Sequence, residues 1–216
     1  DGVEVLALSE YGISKVSKAI HLNRIFREKG WIQVKDEIGL ETLDCGGCQA
    51  FAVADHQVAH VYVNDESIAE EVRKVVLEAD GVEEIREGVD LWGSGVGRER
   101  GGDFVAVSES EAWFTYYYWM DDAKAPDFAR CIDIHRKPGY DPVELFLDPE
   151  IKFPMLKIAG FLAKKKLGFR GLMDVIPLDA DLVKGSHGRD TVEEEEQPVA
   201  IGPGAENVDS AERVFG

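Results

Sequence analysis

The sequence predicts an α/β fold, because short apolar strands alternate with amphipathic helices along much of the chain. The clearest example is a strand–helix–strand pattern, with strands over 57–63 and 82–85 and a helix between them. Hydrophobic residues make up 44% of the 216 residues, which is enough to bury a core. A chain of this length forms one domain or two small ones.

The N-terminal region begins with an apolar run over 3–8, which we expect to be a buried strand. The run ends in a polar turn over 9–12, and ligands collect at such strand ends in open α/β sheets. A helix should follow, with Ile25 and Phe26 on its apolar face and Gly30 as its C-cap.

The middle of the chain continues the pattern with strands over 31–34 and 51–54. Ser67-Ile-Ala-Glu70 has the spacing of a capping box, which should open a helix that runs to Ala79. The Gly-rich, polar stretch over 92–102 is typical of a surface loop.

The C-terminal half should contain strands over 104–107 and 113–119. The second carries aromatic residues on both faces, and burial is favoured over the lining of a pocket. Residues 126–149 show little periodicity but many charges, as expected of a functional loop. We predict a helix over 152–167, with lysines at its C-terminal end, and a short strand over 198–201.

The chain is strongly acidic, since 24 basic and 42 acidic residues give a formal net charge of −18. Nucleic-acid polymers bind basic surfaces, and anionic membranes attract them. We therefore expect neither a nucleic acid nor a membrane as a partner. No stretch approaches the roughly 20 apolar residues of a transmembrane helix. The acidity is explained most simply by solubility.

The cysteines Cys45, Cys48 and Cys131 are few and odd in number, which indicates a reducing, cytoplasmic compartment rather than a disulfide framework. Cys45-Gly-Gly-Cys48 has the spacing of half a zinc knuckle or of a redox pair. The chain lacks a second pair of this kind. An incidental loop pair is therefore the favoured interpretation.

Histidine beside carboxylate is the clearest chemical signal in the sequence. Asp55 and His56 follow an apolar strand, and His187 stands in a Gly-Ser-His-Gly turn. Imidazole and carboxylate bind zinc-like ions, and a carboxylate that contacts a ligating histidine fixes its tautomer. A simple turn at Asp55 and His56, and a capping or core role for His187, explain the pattern equally well. His60 lies inside a strand and should face solvent.

A second cluster consists of Asp133, His135, Arg136 and Lys137 in the charged loop. Guanidinium and ammonium groups hold substrate phosphates, so we assign this cluster to substrate binding. For the two cations, the alternative is a structural salt bridge with Asp133 or Asp141.

Several segments of the chain resemble the C-terminal half of the type I phosphodiesterase/nucleotide pyrophosphatase family, which belongs to the alkaline phosphatase superfamily. The segments are Val5-Leu-Ala-Leu-Ser-Glu-Tyr-Gly-Ile13, His21-Leu-Asn23, Glu28-Lys-Gly-Trp31 and Lys184-Gly-Ser-His-Gly188. Three others look like a bacterial branch of the family: Ala50-Phe-Ala-Val-Ala-Asp-His-Gln-Val-Ala-His60, Trp113-Phe-Thr-Tyr-Tyr-Tyr-Trp119 and Asp133-Ile-His-Arg-Lys-Pro-Gly-Tyr-Asp-Pro142. The resemblance spans nearly the whole chain.

This resemblance implies a central mixed β-sheet flanked by helices, as part of an alkaline-phosphatase-like fold. Residues 1–216 would form the C-terminal segment of one phosphodiesterase-like domain, with a subdomain or insertion at about 40–150. The family binds two divalent metal ions, commonly zinc. Its members hydrolyse phosphodiester, pyrophosphate or related bonds through a threonine or serine nucleophile.

The family's Ser-Asp-His-Gly motif falls on Ser-Glu-Tyr-Gly in this chain, and its late histidine ligand falls on His187. Glu10 can ligate a metal in place of the aspartate. Tyr11 is a poor replacement for histidine, because a neutral phenol is a weak ligand. The resemblance therefore assigns Glu10 and His187 as metal ligands. From the chemistry of their side chains, we add Asp55 and His56 as replacements for the lost histidine.

The sequence thus predicts a metal-dependent hydrolase of phosphodiester or pyrophosphate bonds in a small phosphorylated substrate. We expect the nucleophile to lie upstream of Asp1, so that this segment alone is inactive. The alternative is a non-catalytic module of the same fold that binds a ligand or a partner, which Tyr11 favours. A redox or zinc-knuckle protein built on Cys45 and Cys48 is a weaker third hypothesis.

Overall fold

A computed structural model of the chain describes residues 3–87, 100–133, 135–190 and 192–205. These residues form three α-helices and twelve short strands, which pair in five small sheets. The predicted α/β class is confirmed. The expected subdomain or insertion at about 40–150 stays a prediction.

The largest sheet has four antiparallel strands that lie side by side in the order β6 (Ala50–Asp55), β7 (Val58–Val63), β9 (Phe104–Ser108) and β8 (Val82–Glu87). Side chains of β6 alternate between buried and more exposed positions, as expected for a strand with one face on a core. β9 lies between two neighbours and is buried along its whole length. These four strands agree with the sequence prediction to within two residues at each end.

Four two-stranded pairs complete the strand structure. They are β1 (Ala7–Leu8) with β12 (Ala200–Ile201), β2 (Ser14–Lys15) with β11 (Gly185–Ser186), β3 (Lys18–Ile20) with β10 (Ala112–Phe114), and β4 (Val34–Glu37) with β5 (Leu40–Leu43). Only the pair of β3 and β10 is parallel within the described residues. The pair of β2 and β11 matters most for the site, because it ties the N-terminal segment to the residues that precede His187.

The predicted buried strand over 3–8 is wrong. Only Ala7 and Leu8 pair with another strand, and both are exposed. Val3 and Val5 keep 81% and 71% of their surface accessible. An apolar run specifies that a segment can form a strand but not that a partner covers it. The strand predicted over 31–34 begins only at Val34, because Trp31 packs on Phe26 from a loop, with ring centroids 5.6 Å apart.

Helix α1 (Leu22–Glu28) ends where the sequence predicts, because Gly30 adopts a positive φ of 79° just after its last turn. Helix α2 (Ala69–Leu77) buries Val72 and Val76. Its predicted capping box is wrong, since Asp65 accepts a 3.0 Å hydrogen bond from the Ser67 amide and opens a 3₁₀ turn before the helix. Asp65 provides the cap in place of Ser67, because it directly precedes the 3₁₀ turn that leads into the helix.

Helix α3 (Pro154–Lys166) confirms the helix predicted near the C-terminal end, and none of its residues is buried. The aromatic run over 113–119 confirms the favoured interpretation, because all seven side chains are buried in the core. Only its first two residues belong to β10. The predicted loop over 92–102 lies largely outside the described residues. Among the residues described, no helix is long and apolar enough to span a bilayer.

Candidate functional site

The turn between β6 and β7 presents the first pair of predicted site residues. It consists of His56 and Gln57, and His56 has a φ of 59°, as two-residue hairpin turns often require. The His56 carbonyl accepts a 2.7 Å hydrogen bond from the Phe114 amide, which anchors the turn to the core. His56 Nδ1 donates to Asp55 Oδ1 at 2.8 Å. Since an ionised carboxylate only accepts, this contact leaves the His56 Nε2 lone pair free.

The segment after β11 brings His187 to the same turn. The His187 carbonyl accepts a 2.9 Å hydrogen bond from the Gln57 amide. Gly188 follows with a φ of 115°, a conformation that L side chains rarely adopt. Gly188 therefore lets the chain turn tightly after His187, as the sequence predicts.

Four aromatic rings then stack in one row, which we call the ring column: Tyr11, His187, His56 and Tyr140. Tyr11 and His187 lie 3.7 Å apart between centroids and are almost parallel, at 8°. His187 and His56 lie 3.8 Å apart at 33°, and His56 and Tyr140 lie 4.3 Å apart at 25°. The column unites three distant parts of the sequence with the loop after Lys137.

Tyr140 is the site residue that sequence reasoning missed. Its amide donates a 2.8 Å hydrogen bond to the Ala54 carbonyl at the end of β6. Gly139 makes this approach possible, because a Cβ there would lie 2.6 Å from that same carbonyl oxygen. The sequence signal for this turn is the Pro-Gly-Tyr run at the end of the charged cluster, because Pro-Gly dipeptides mark turns.

Two groups at this site have shifted pKa values, and both shifts favour the form that binds a metal ion. The hydrogen bond from His56 is the main cause that lowers the pKa of Asp55. Burial, followed by the neighbouring His56, lowers the pKa of His187, although the charges of Asp55 and Glu10 raise it. A neutral imidazole is the form that binds a metal ion.

The donor set at the ring column fits a divalent metal in kind but only in part in arrangement. Two imidazoles and two carboxylates, from Glu10, Asp55, His56 and His187, are the ligand types that zinc accepts. Within the described parts of the chain, however, no group of three or more such side chains is placed to hold an ion. The structure thus brings the predicted residues into one neighbourhood without gathering them into a closed ligand set.

The residues of the second predicted cluster, in the charged loop, do not share one role. The Lys137 ammonium is fully buried and lies 2.8 Å from Asp141 and 2.7 Å from Glu144, so it forms the structural salt bridge that was the alternative. Arg136 is exposed, lies 2.9 Å from Asp127 and packs its guanidinium over the ring of Phe128 at 4.9 Å.

The other two members of that cluster differ in exposure. His135 is exposed, and the half-buried Asp133 receives the Arg136 amide on its carbonyl at 3.2 Å. Lys137 is therefore accounted for by the fold. Asp133, His135 and Arg136 keep their predicted role as a prediction.

Cys45 and Cys48 remain free thiols, and burial raises the pKa of both. A raised pKa opposes the thiolate that redox chemistry and metal binding need.

His60 lies in β7, half-buried, with Nδ1 2.7 Å from the Gly101 carbonyl. An open cavity of about 730 Å³ elsewhere is lined mainly by glutamates, whose charge would repel a phosphate. The ring column is therefore the better candidate site.

Two similar solved structures are of phosphonoacetate hydrolase from Sinorhizobium meliloti 1021, in complex with phosphonoformate and with phosphonoacetate. Each is 15% identical, with a TM-score of 0.36, over 52% of this chain and 28% of that chain. The chain thus spans under a third of the length of these proteins. No curated protein matches it.

The match to a family model covers a larger part of the chain than the solved structures do. The family model described as type I phosphodiesterase / nucleotide pyrophosphatase matches residues 1–141. That range holds Glu10, Asp55 and His56, and it includes the charged cluster and Tyr140. Because the match covers more than half of the 216 residues, the chain belongs to the type I phosphodiesterase/nucleotide pyrophosphatase family.

Proposed function

We propose that this chain belongs to a metal-dependent hydrolase of phosphodiester or pyrophosphate bonds and contributes Glu10, Asp55, His56 and His187 to its metal site. The observation that carries the proposal is the contact between His187 and His56, since the rings of two histidines from distant parts of the chain lie 3.8 Å apart between centroids. Asp55 contacts one of them, and the charge of Glu10 acts on the other. Family membership supports the reaction class.

Each residue has a distinct task in this proposal. His187 and His56 supply neutral imidazole nitrogens, and Glu10 supplies an anionic oxygen. Asp55 holds the proton on His56 Nδ1, so that Nε2 is presented as the ligand. A divalent ion held there, zinc or a similar metal, would stabilise negative charge on the phosphoryl oxygens during hydrolysis. The two-ion count expected from the resemblance belongs to the complete enzyme.

We place substrate binding beside the ring column. Asp133, His135 and Arg136 precede Tyr140 in the same loop, and Tyr140 stacks on His56 at 4.3 Å. Arg136 is the group best suited to a phosphate oxygen, because guanidinium makes bidentate contacts. A small phosphorylated molecule is the substrate class that fits this chemistry. The unpaired cysteines support a reducing, cytoplasmic location.

We also propose that this chain does not turn over substrate alone. The donors at the ring column are not gathered into a closed ligand set within the described residues, so further ligands and the threonine or serine nucleophile would come from residues outside this sequence. The chain should then bind zinc without hydrolysing an aryl phosphodiester. Zinc titration by calorimetry, followed by a hydrolysis assay on the same sample, tests both parts. The proposal is wrong if the chain fails to bind zinc or if replacement of His187 leaves zinc affinity unchanged.

The second candidate is a non-catalytic module of the same fold. Tyr11 favours it, because a phenol stands where the family places a histidine and its ring lies 3.7 Å from that of His187. The full-length protein separates the two candidates. Stoichiometric metal binding together with turnover of an aryl phosphodiester would exclude the non-catalytic module. Binding of a ligand with neither bound metal nor turnover would support it.

A further inference from the structure

The segment around α3 has a charge opposite to that of the rest of the chain. Residues 151–173 contain six basic side chains and no acidic one, in a protein with a net charge of −18. They are Lys152, Lys157, Lys164, Lys165, Lys166 and Arg170. We call residues 151–173 the basic segment. Net charge describes the average surface, and this segment is the local exception to it.

Most cations of the basic segment form no ion pair among the described residues. Lys157 lies 3.0 Å from an Asp174 carboxylate oxygen and ties the helix to the chain that follows it. Among the described residues, the other five have no carboxylate within 4.0 Å, although the chain has 42 acidic residues. Three of the five lie at the C-terminal end of α3. Cations held apart from so many available carboxylates are free to bind an external anion.

Apolar side chains are exposed in the same segment. None of the residues of α3 is buried, and only Pro154, Ile158 and Phe161 are half-buried. The exposed apolar residues, with the accessible fraction of each, are Phe153 69%, Met155 69%, Leu156 70%, Leu162 54%, Leu167 75%, Phe169 66% and Leu172 39%. Large apolar side chains in a contiguous exposed segment mark a surface that binds something.

We propose that the basic segment binds the surface of a lipid bilayer that contains anionic phospholipid, with α3 lying in the plane of the interface. Lysines beside exposed Phe, Leu and Met are the residue types that interfacial helices carry. The apolar side chains enter the boundary between headgroups and acyl chains, and the lysines extend to the phosphates. This inference is independent of the metal site, and it replaces the expectation of no membrane drawn from net charge.

A bilayer fits this surface better than an acidic protein does. A protein groove that binds a helix receives one stripe of side chains at three- and four-residue spacing. Here the exposed apolar residues occupy adjacent positions, Met155 and Leu156, and continue beyond both ends of the helix at Phe153 and Phe169. A lipid surface accepts such a broad apolar face, because it imposes no fixed shape.

Sedimentation with vesicles tests the proposal on the full chain. We expect binding to vesicles of equal parts phosphatidylcholine and phosphatidylglycerol, little binding to phosphatidylcholine alone, and release at high salt. Lys164→Gln/Lys165→Gln should weaken partitioning by about fivefold for each lysine. Leu156→Glu/Leu162→Glu should abolish it, which separates insertion from simple charge adsorption.

Matched controls keep the test informative. Leu77→Glu places the same change at an exposed position of α2, and Lys29→Gln removes an exposed lysine next to α1. Both should bind vesicles as the wild type does, with unchanged circular dichroism. The proposal is overturned if the wild type ignores anionic vesicles, or if the α3 variants bind as well as their controls. It is also overturned if α3 variants convert a lipid-free dimer into a monomer, since a second copy would then cover the helix.

Discussion

The rings of His56 and His187 lie with their centroids 3.8 Å apart and tilted by 33°, although they belong to a hairpin turn and to a loop near the other end of the chain. A main-chain hydrogen bond from Gln57 to the His187 carbonyl holds the loop over the turn. Both imidazoles cannot be charged at this separation at low cost, because like charges repel. This contact is the centre of the proposed metal site.

Tyr11→His should raise the affinity for zinc. Tyr11 stands where the family has a histidine, and its ring lies 3.7 Å from His187. An imidazole at this position adds a strong ligand, so we expect affinity to rise about tenfold or more. Tyr11→Phe is the matched control, because it keeps the stack without adding a ligand. Zinc titrations that give the same affinity for both variants would contradict the account.

Asp55→Ala should weaken zinc binding by about 10- to 100-fold, as expected when a carboxylate that orients a ligating histidine is removed. Asp55 accepts from His56 Nδ1 at 2.8 Å, and this contact fixes the tautomer. Glu66→Ala removes an acidic residue from a remote 3₁₀ turn and serves as the control. Equal affinities for the two variants in a calorimetric titration would show that Asp55 does not orient the ligand.

His21 should make the fold sensitive to acid. Burial, followed by the charge of Arg24, lowers its pKa to about 4. Between that value and about 6.5 the unfolded chain takes up a proton that the folded chain does not, so stability falls as pH falls through this window. The loss amounts to about 3 kcal/mol below the folded pKa.

The matching variant is His21→Gln, which does not titrate and can still bond to Thr115, the partner of His21 Nδ1 at 2.6 Å. Urea unfolding between about pH 7 and about pH 4 should show a smaller loss of stability in the variant than in the wild type. Identical pH dependence of the two proteins would exclude His21 as the cause.

Lys137→Met should destabilise the fold by about 3–5 kcal/mol, because it leaves buried carboxylates without a counter-charge. The ammonium lies 2.8 Å from Asp141 and 2.7 Å from Glu144. Burial already raises the pKa of Asp141 in spite of Lys137. The triple variant Lys137→Met/Asp141→Asn/Glu144→Gln should recover much of the loss in urea unfolding. A single variant as stable as the wild type would return Lys137 to the substrate-binding role.

The sequence was most informative where a local pattern decides the structure. Apolar runs on both sides of Asp55 and His56 predict two strand segments with a break at these residues, and glycines predict the tight turn at His187. The buried aromatic run over 113–119 also follows from composition, because so many large rings cannot all remain in water. These features depend on nearby residues or on hydrophobicity alone.

Features that depend on distant partners could not be predicted. Tyr140 joins the ring column only because Gly139 lets its loop approach Ala54 in another strand. The burial of Lys137 depends on two carboxylates that the 3₁₀ turn over Pro142–Leu145 positions. The exposed run over 3–8 looks like any buried strand in sequence, because no local signal reports whether a partner covers it.

A crystal structure of the chain grown with zinc would show whether the ring column holds the ion. We expect an ion coordinated by His56 Nε2 and His187 at about 2.0–2.1 Å, with a carboxylate oxygen of Glu10 or Asp55 beside it. Zinc bound with none of Glu10, Asp55, His56 or His187 within about 2.5 Å would contradict the proposed site.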